Sequence, residues 1–495
     1  MNAILRAATA LAAWVAAASA WAAPADAAPV PCRVAGLAHE VRCASVQRPL
    51  DPAMSQGRQI EVHYVVVPAL ARRALPDPVF LIAGGPGQSA IDVAGEVMPL
   101  FARLNNRRDI VFVDQRGTGR SAPLLCAHDT AAQRPLAEPA DVSRQLADLR
   151  ACRETLAALP YVGGADGLRY FTTSIAMQDL DAVRRQLGAE RVNLVGVSYG
   201  TRAALEYQRQ FPAQVRRSVL DGVAPPDMSL TRSLTADSQA AFDALLAACA
   251  GEAACARRHP RLREDWQALL AGLPRAVTLL HPLDGRPERI ELTRALLLSA
   301  VRAALYSPAV AAALPAAIGE AAQGRVQGLI ALGGVLNARA AGTLSSGMHF
   351  AVMCAEDVPG SALGGDAVGA DVGGVLTRVY DEACADWPRG AVPEGFRRIA
   401  ESATPVLLLS GGLDPVMPPR HAERAAQALG GKARHVVVPQ GGHGVLALGC
   451  MHEVLWRFID AADDAQALAV DADCAAAVPR PPAFAPVMLP REDPR

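Results

Sequence analysis

The stretch Arg191-Val-Asn-Leu-Val-Gly-Val-Ser-Tyr-Gly-Thr201 decides how this chain is read. An apolar run from Val192 to Val197 ends in Gly196-x-Ser198-x-Gly200, and a helix-compatible stretch follows. Small residues at 196 and 200 let a strand and a helix meet at a sharp turn. Such a turn pushes the serine hydroxyl into the open, as a nucleophile elbow does. Glycine and serine occur in any turn, so the pattern draws its force from its surroundings. An Asp and a His stand further along, each just past its own apolar run, in the order Ser, Asp, His.

Working outward, Ile60–Val67 has apolar residues at alternate positions, as a half-buried strand should. Val79-Phe-Leu-Ile82 leads into Ala83-Gly-Gly-Pro-Gly87, and Asp109-Ile-Val-Phe-Val113 leads into Asp114-Gln-Arg-Gly-Thr-Gly-Arg-Ser121. Thr173 to Leu187 carries Leu180, Val183 and Leu187 at helical spacing, and Ser218-Val-Leu220 ends at Asp221-Gly222. Short apolar strands alternating with helices predict an α/β fold, a mostly parallel sheet with helices on both faces. The alternation breaks at Pro225-Pro226. From there to about residue 395 the periodicity is mainly helical, for example over 238–250, 292–305 and 309–322. Strand signals return at Pro405–Leu409 and His435–Val438. The simplest organisation is an α/β core in two parts, 28–225 and 396–495, interrupted by a largely helical cap insertion at 226–395.

A serine hydroxyl is a poor nucleophile at neutral pH. It needs a base to take its proton, and the base needs a carboxylate to fix its tautomer. Ser198 is the candidate nucleophile. Asp414 sits past one apolar run in Gly411-Gly-Leu-Asp-Pro415, and His443 past the next in Gly441-Gly-His-Gly444. Both would lie at the carboxyl ends of parallel strands, where open α/β sheets place their sites. Asp221 also ends a strand and is the rival acid. An oxyanion needs preorganised backbone donors. The Tyr199 N–H, just after the nucleophile, is one candidate. The loop Gly84–Gly87 should supply the other, with Gly85 ahead of Gly84, since Pro86 has no N–H. This chemistry calls for no metal and no organic cofactor.

The chain has 495 residues, a net charge of −1 and 51 % apolar residues, which allows a large core and gives no electrostatic case for nucleic acid or an anionic membrane. Its basic residues are nearly all Arg, with Lys432 the single Lys. Arg6 followed by the apolar stretch Ala7–Ala20 and Ala-x-Ala sites near 20–27 reads as a cleaved secretory signal over 1–27, too short for a confident membrane span. The ten cysteines suit an exported protein. Pairing in sequential couples is the simplest arrangement, and sequence alone does not fix it. The expected location is the periplasm or outside the cell, without stable membrane insertion.

Gly84-Gly-Pro-Gly-Gln-Ser89, Asp114–Ser121, Gly196–Thr201, Ser410–Asp414 and Gly442–Gly444 together resemble the prolyl aminopeptidase and tripeptidyl aminopeptidase group of α/β-hydrolases. The export signal, the cysteines and the large insertion resemble its secreted tripeptidyl-aminopeptidase-like branch. Ala83 departs from the His that many prolyl aminopeptidases carry there. The resemblance implies a serine exopeptidase acting on peptides with a free N-terminus. It also implies cap carboxylates that grip the substrate ammonium, for which Glu356 and Asp357, in Met353-Cys-Ala-Glu-Asp357, are the candidates. Asp114 and Arg116 would shape the site or brace its loops. An esterase of the same fold, which needs no amine anchor, is the alternative.

Overall fold

The computed structural model describes residues 28–129, 136, 141–281, 284–340, 344–358 and 374–485, so the signal segment expected at 1–27 lies outside the described residues. Among the described residues there are eleven strands: β1 (Val30–Cys32), β2 (Val41–Pro49), β3 (Gln59–Val67), β4 (Val79–Ile82), β5 (Ile110–Val113), β6 (Val192–Val197), β7 (Val215–Asp221), β8 (Arg275–Leu280), β9 (Pro287–Leu292), β10 (Val406–Gly411) and β11 (Ala433–Val438). Nine form one sheet in the order β1-β2-β3-β5-β4-β6-β7-β10-β11. Pairing is antiparallel from β1 through β3 to β5 and parallel from β5 to β11.

The central strands bury both faces. In β4 every residue is buried, with Phe80 and Ile82 facing one apolar layer and Val79 and Leu81 the other. Leu194 and Val195 of β6, Leu220 and Val219 of β7, and Leu408 and Leu407 of β10 divide in the same way. Helices Thr173–Gln186, Tyr199–Gln210 and Pro419–Leu429 cover the first face, and helix Met451–Asp460 the second. This is the two-sided burial that continuous apolar strands require. The parallel register aligns the carboxyl ends of β4, β6, β7, β10 and β11 on one rim.

The described residues between β7 and β10 include two distinct structures. One is built on helices Leu230–Gly251, Leu262–Ala271, Arg294–Leu305, Leu314–Ala322 and Gln327–Ala340 and has an apolar core of its own, around Phe242, Trp266, Leu297, Val301 and Ile318. It contains the antiparallel hairpin β8–β9, a strand pair that the helical reading overlooked. The alternation in Arg275–Leu280 is short and half-exposed, so it carries little weight against the Ala- and Leu-rich helices around it. The second structure is helix Ser346–Val352, which widens into a π turn over Met353–Asp357. Its Met348, Ala351, Val352 and Cys354 pack into the sheet's own core.

Five disulfides join Cys32–Cys43, Cys126–Cys152, Cys249–Cys255, Cys354–Cys384 and Cys450–Cys474, the sequential couples expected. Cys354–Cys384 fixes the π turn to helix Gly374–Asp386.

Candidate active site

Ser198 stands between β6 and helix Tyr199–Gln210 with φ +57° and ψ −126°, one of two non-glycine residues at positive φ among the described residues. A backbone of this kind costs on the order of 1–3 kcal/mol and persists only where its surroundings over-determine it. They do so here. A Cβ on Gly196 would come within 2.4 Å of the Gly200 carbonyl, and one on Gly200 within 2.1 Å of the Ile82 carbonyl. The Ser198 N–H donates to Asp221 O at 2.8 Å. Thr201 Oγ1 donates to Ser198 O at 2.6 Å and accepts from Ala224 N at 2.8 Å, tying the elbow to the chain leaving β7.

His443 follows β11, and its Nδ1 lies 2.8 Å from Asp414 Oδ2. The carboxylate is an acceptor, so Nδ1 carries the proton and Nε2 is left as the base. The other Asp414 oxygen accepts from Val416 N at 2.8 Å and Met417 N at 2.9 Å. Burial alone would raise the Asp414 pKa. The positive charge on His443, its hydrogen bond and the two amides outweigh burial and bring the carboxyl below its ordinary value. For His443, burial acts to lower the pKa, and the Asp414 charge and hydrogen bond, with the charge of Asp221, raise it overall. The two directions agree for an ion pair. Gly222 completes the approach: a Cβ there would sit 3.2 Å from His443 Cε1 and 3.8 Å from Asp414 Oδ2. Ser198, bonded to Asp221, and His443, packed on Gly222, are therefore both held at the end of β7.

Asp221 is not the partner of the imidazole. Its carboxylate accepts from Val445 N at 2.9 Å and Leu446 N at 3.0 Å and so holds the His443 loop from beneath. Burial raises its pKa to about 6 against those two hydrogen bonds.

The loop after β4 lies against the nucleophile. A Cβ on Gly84 would be 3.1 Å from Ser198 Cβ, and Gly85 takes φ +107°. As the first residue of its helix, Tyr199 has an N–H without an intrahelical acceptor. Gly84 is thus the loop residue packed against Ser198, with the expected donor Gly85 next to it in the chain. Asp114 and Arg116 brace rather than line the site. Asp114 accepts from Ser89 Oγ at 2.7 Å, Ile91 N at 3.1 Å and Arg120 N at 3.1 Å, joining the loops after β4 and β5. Arg116 donates to both oxygens of Asp179, at 2.6 and 2.9 Å.

The expected amine anchors are both buried and both accept hydrogen bonds within the chain. Glu356 is buried, and its oxygens accept from Thr173 N and Thr173 Oγ1, both at 2.7 Å. Thr173 Oγ1 lies 2.6 Å from Tyr199 OH, so with Glu356 ionised the tyrosine donates to the threonine. Burial raises the Glu356 pKa to about 7, against the Thr173 hydrogen bonds and the Arg202 charge. Asp357, also buried, accepts from Leu230 N at 2.8 Å and Thr231 N at 3.1 Å and pairs with Arg202 at 3.4 Å. It caps helix Leu230–Gly251, whose own N-cap, Ser229, makes no side-chain cap bond. Each carboxylate is thus already an acceptor within the chain, and the Glu-Asp pair ties the elbow helix to the cap through Thr173, Arg202 and Leu230. Thr173, Thr201 and Tyr306 escaped the sequence reading because nothing in their local patterns marks them. Tyr306 O accepts from His443 N at 3.0 Å and its ring stands edge-on to the imidazole.

Among the described residues, Cys126, His128 and Asp129 bring metal-ligand atoms together. The Cys126 sulfur is in a disulfide and Asp129 accepts from Cys126 N and Ser346 N, so the donor set does not suit a metal.

Two families match the chain: the α/β hydrolase fold over residues 77–251 and the TAP-like proteins over 372–466. Serine protease Hip1 of Mycobacterium tuberculosis (strain H37Rv) is 27 % identical over 437 residues, covering 81 % of this chain and 82 % of that protein. Tripeptidyl aminopeptidase of Streptomyces lividans is 32 % identical over 200 residues, 38 % of this chain and 36 % of its own length. Carboxylesterase B of Mycobacterium tuberculosis (strain CDC 1551 / Oshkosh) is 30 % identical over 232 residues, 43 % of this chain and 42 % of that one. The chain is an α/β-hydrolase and a serine hydrolase. Within that fold, the matches to the TAP-like proteins and to the tripeptidyl aminopeptidase support a hydrolase of the TAP family.

Proposed function

We propose that the chain is an exported serine peptidase that cleaves peptide bonds near a free N-terminus, as an aminopeptidase or tripeptidyl aminopeptidase. The observation that carries the reading is the 2.8 Å His443–Asp414 hydrogen bond set behind an elbow serine at φ +57°. Ser198 Oγ attacks the scissile carbonyl while His443 Nε2 takes its proton, and the Tyr199 and Gly85 N–H groups receive the oxyanion. The imidazolium then gives its proton to the leaving amine. Water, deprotonated by the same nitrogen, releases the N-terminal fragment, and Asp414 keeps Nδ1 protonated throughout. The named peptidase relatives support the amide bond as target. Five disulfides fit an oxidising compartment, and no described helix is long and apolar enough to cross a membrane. Peptides, and not nucleic acids, are the expected partners.

The free-amine requirement rests on the family likeness, because Glu356 and Asp357 are engaged within the chain. That engagement, and the carboxylesterase relative, favour the second reading, an esterase on the same triad. The purified mature protein separates the two when offered aminoacyl and tripeptidyl p-nitroanilides, free and N-acetylated, beside p-nitrophenyl esters. Cleavage of the free-amine anilides alone supports the exopeptidase. Equal rates on acetylated anilides remove the N-terminal requirement, and ester-only turnover selects the esterase. Ser198→Ala should fold and lose turnover by roughly 10⁶-fold; retained turnover would overturn the mechanism.

A further inference from the structure

We infer that His349 is a positioning residue for the oxyanion loop, acting from the insertion on the loop that follows β4. The inference rests on the reading above, in which Gly85 is an oxyanion donor.

His349 Nδ1 lies 3.1 Å from Pro86 O, and its Nε2 lies 2.8 Å from Tyr380 OH. A carbonyl only accepts, so Nδ1 carries the ring proton. The neutral ring then accepts the Tyr380 proton at Nε2. Burial lowers the His349 pKa, in keeping with the neutral form. The result is a directed chain, Tyr380 O–H to His349 and His349 N–H to Pro86 O, that ends on the loop beside Ser198.

The neighbouring contacts make this more than a chance hydrogen bond. Ser345 N donates to Gly87 O at 2.8 Å, and Gln88 forms an antiparallel bridge with Leu344. Gly84 O accepts from Gln88 N at 3.4 Å. The carbonyls of residues 84, 86 and 87 are thus all held, and Gly85 sits among them at φ +107°, a backbone that only glycine adopts freely. An oxyanion donor contributes through fixed orientation, so holding these carbonyls fixes the direction of the Gly85 N–H. The strap Leu344–His349 is itself anchored from behind. Gly347 N donates to Leu124 O at 2.9 Å and Ser346 N to Asp129 Oδ2 at 2.9 Å, next to the Cys126–Cys152 disulfide. His349 therefore pushes from a fixed support.

Three variants test this: His349→Leu, which keeps bulk and loses both hydrogen bonds; His349→Asn, whose amide N–H can replace Nδ1; and Tyr380→Phe, which removes only the second bond. Each is measured by thermal melting, by kcat and KM on the best substrate of the wild type, and by affinity for a peptide aldehyde that forms a tetrahedral adduct. Wild-type turnover and Ser198→Ala are run first, so that failure of the hydrolase reading appears there, independently of His349. The expectation is a loss in kcat approaching about 10²-fold for His349→Leu with KM nearly constant, the scale of a misplaced catalytic group. Aldehyde affinity should fall in proportion, His349→Asn should recover most of the loss, and Tyr380→Phe should lose a smaller part. A folded His349→Leu with wild-type kcat overturns the inference. So does a loss confined to KM, or an Asn variant no better than Leu. If His349→Leu does not fold, the Asn and Tyr380→Phe variants decide, and unchanged kcat and aldehyde affinity in Tyr380→Phe with wild-type melting would also overturn it.

Discussion

The two structures between β7 and β10 differ in what holds them. The helices from Leu230 to Ala340 bury Phe242, Trp266, Leu297 and Ile318 against one another and close around their own disulfide, Cys249–Cys255. They reach the candidate site at Tyr306, whose carbonyl and ring meet His443. The stretch Leu344–Asp357 has no separate core: Met348 and Val352 pack with the sheet, and its polar groups end on the oxyanion loop, helix Thr173–Gln186, Arg202 of the elbow helix and the loop after β5. An insertion in sequence is therefore not one unit in energy. The first part has a core of its own, whereas the second shares the core of the sheet and borders the site.

The core sets the ceiling against which both parts are measured. Asp414→Asn should leave either region folded and lower kcat by about 10⁴-fold, since the imidazole loses its tautomer control. A loss of less than a hundredth of that would mean Asp221 or another carboxylate serves the base. Below that ceiling the two regions separate at two glycines. A Cβ on Gly87, at φ +103°, would stand 2.6 Å from Ser345 O, so Gly87→Ala must part the strap from the oxyanion loop. The expected loss is about 10² in kcat. A Cβ on Gly333 would stand 2.6 Å from Ala300 Cα, between two helices of the outer unit. Gly333→Ala should lower the melting temperature through overpacking of about 1–3 kcal/mol and leave kcat unchanged. Equal kcat losses in both variants would dissolve the distinction.

The contact of Tyr306 with His443 can be read in the pH profile. Free-enzyme activity needs neutral His443, whose pKa lies above the ordinary histidine value, so the acid limb of kcat/KM should fall above pH about 6.5. Removing the ring in Tyr306→Ala admits water and lessens the burial that opposes ionisation. The limb should then move further up, with tenfold less activity per pH unit beneath it. A limb that stays in place would mean Tyr306 contributes little to the burial of the imidazole.

Much of this was legible in the sequence, and the parts that were not share a cause. The parallel strands announced themselves as short apolar runs, and the glycines at 84, 85, 87, 196, 200 and 411–412 marked where backbones approach closely. Ser198, Asp414 and His443 could be read because each closes such a run. The hairpin β8–β9 could not, because half-exposed strands of six residues in Ala-rich surroundings leave a faint period. His349, Thr173 and Tyr306 work by contacts across 263, 183 and 137 residues of chain, to Pro86, Glu356 and His443, and no local pattern encodes such a partner. Glu356 and Asp357 were legible as a site-proximal acidic pair, but the sequence does not say which donors reach them first.

Glu356 gives the smallest effect and the sharpest division of roles. As an amine anchor, its replacement by Gln would raise KM for free-amine substrates and leave acetylated ones alone. As a tie from the π turn through Thr173 to Tyr199, its replacement should change both substrate classes in equal proportion, and only modestly. Stability supplies a second reading with a definite sign. Its pKa is raised from 4.5 to about 7, so the folded state binds the extra proton across that interval. Wild-type stability should therefore decline as pH rises from about 4.5 to 7, by at most about 3 kcal/mol from this group. Asp221, raised to about 6, adds a slope of the same sign that remains in the variant. The difference between wild-type and Glu356→Gln unfolding free energies across pH isolates the Glu356 contribution. A flat difference curve with a KM change restricted to free amines would return Glu356 to the substrate. A sloping one with proportional losses would keep it in the frame that holds Tyr199.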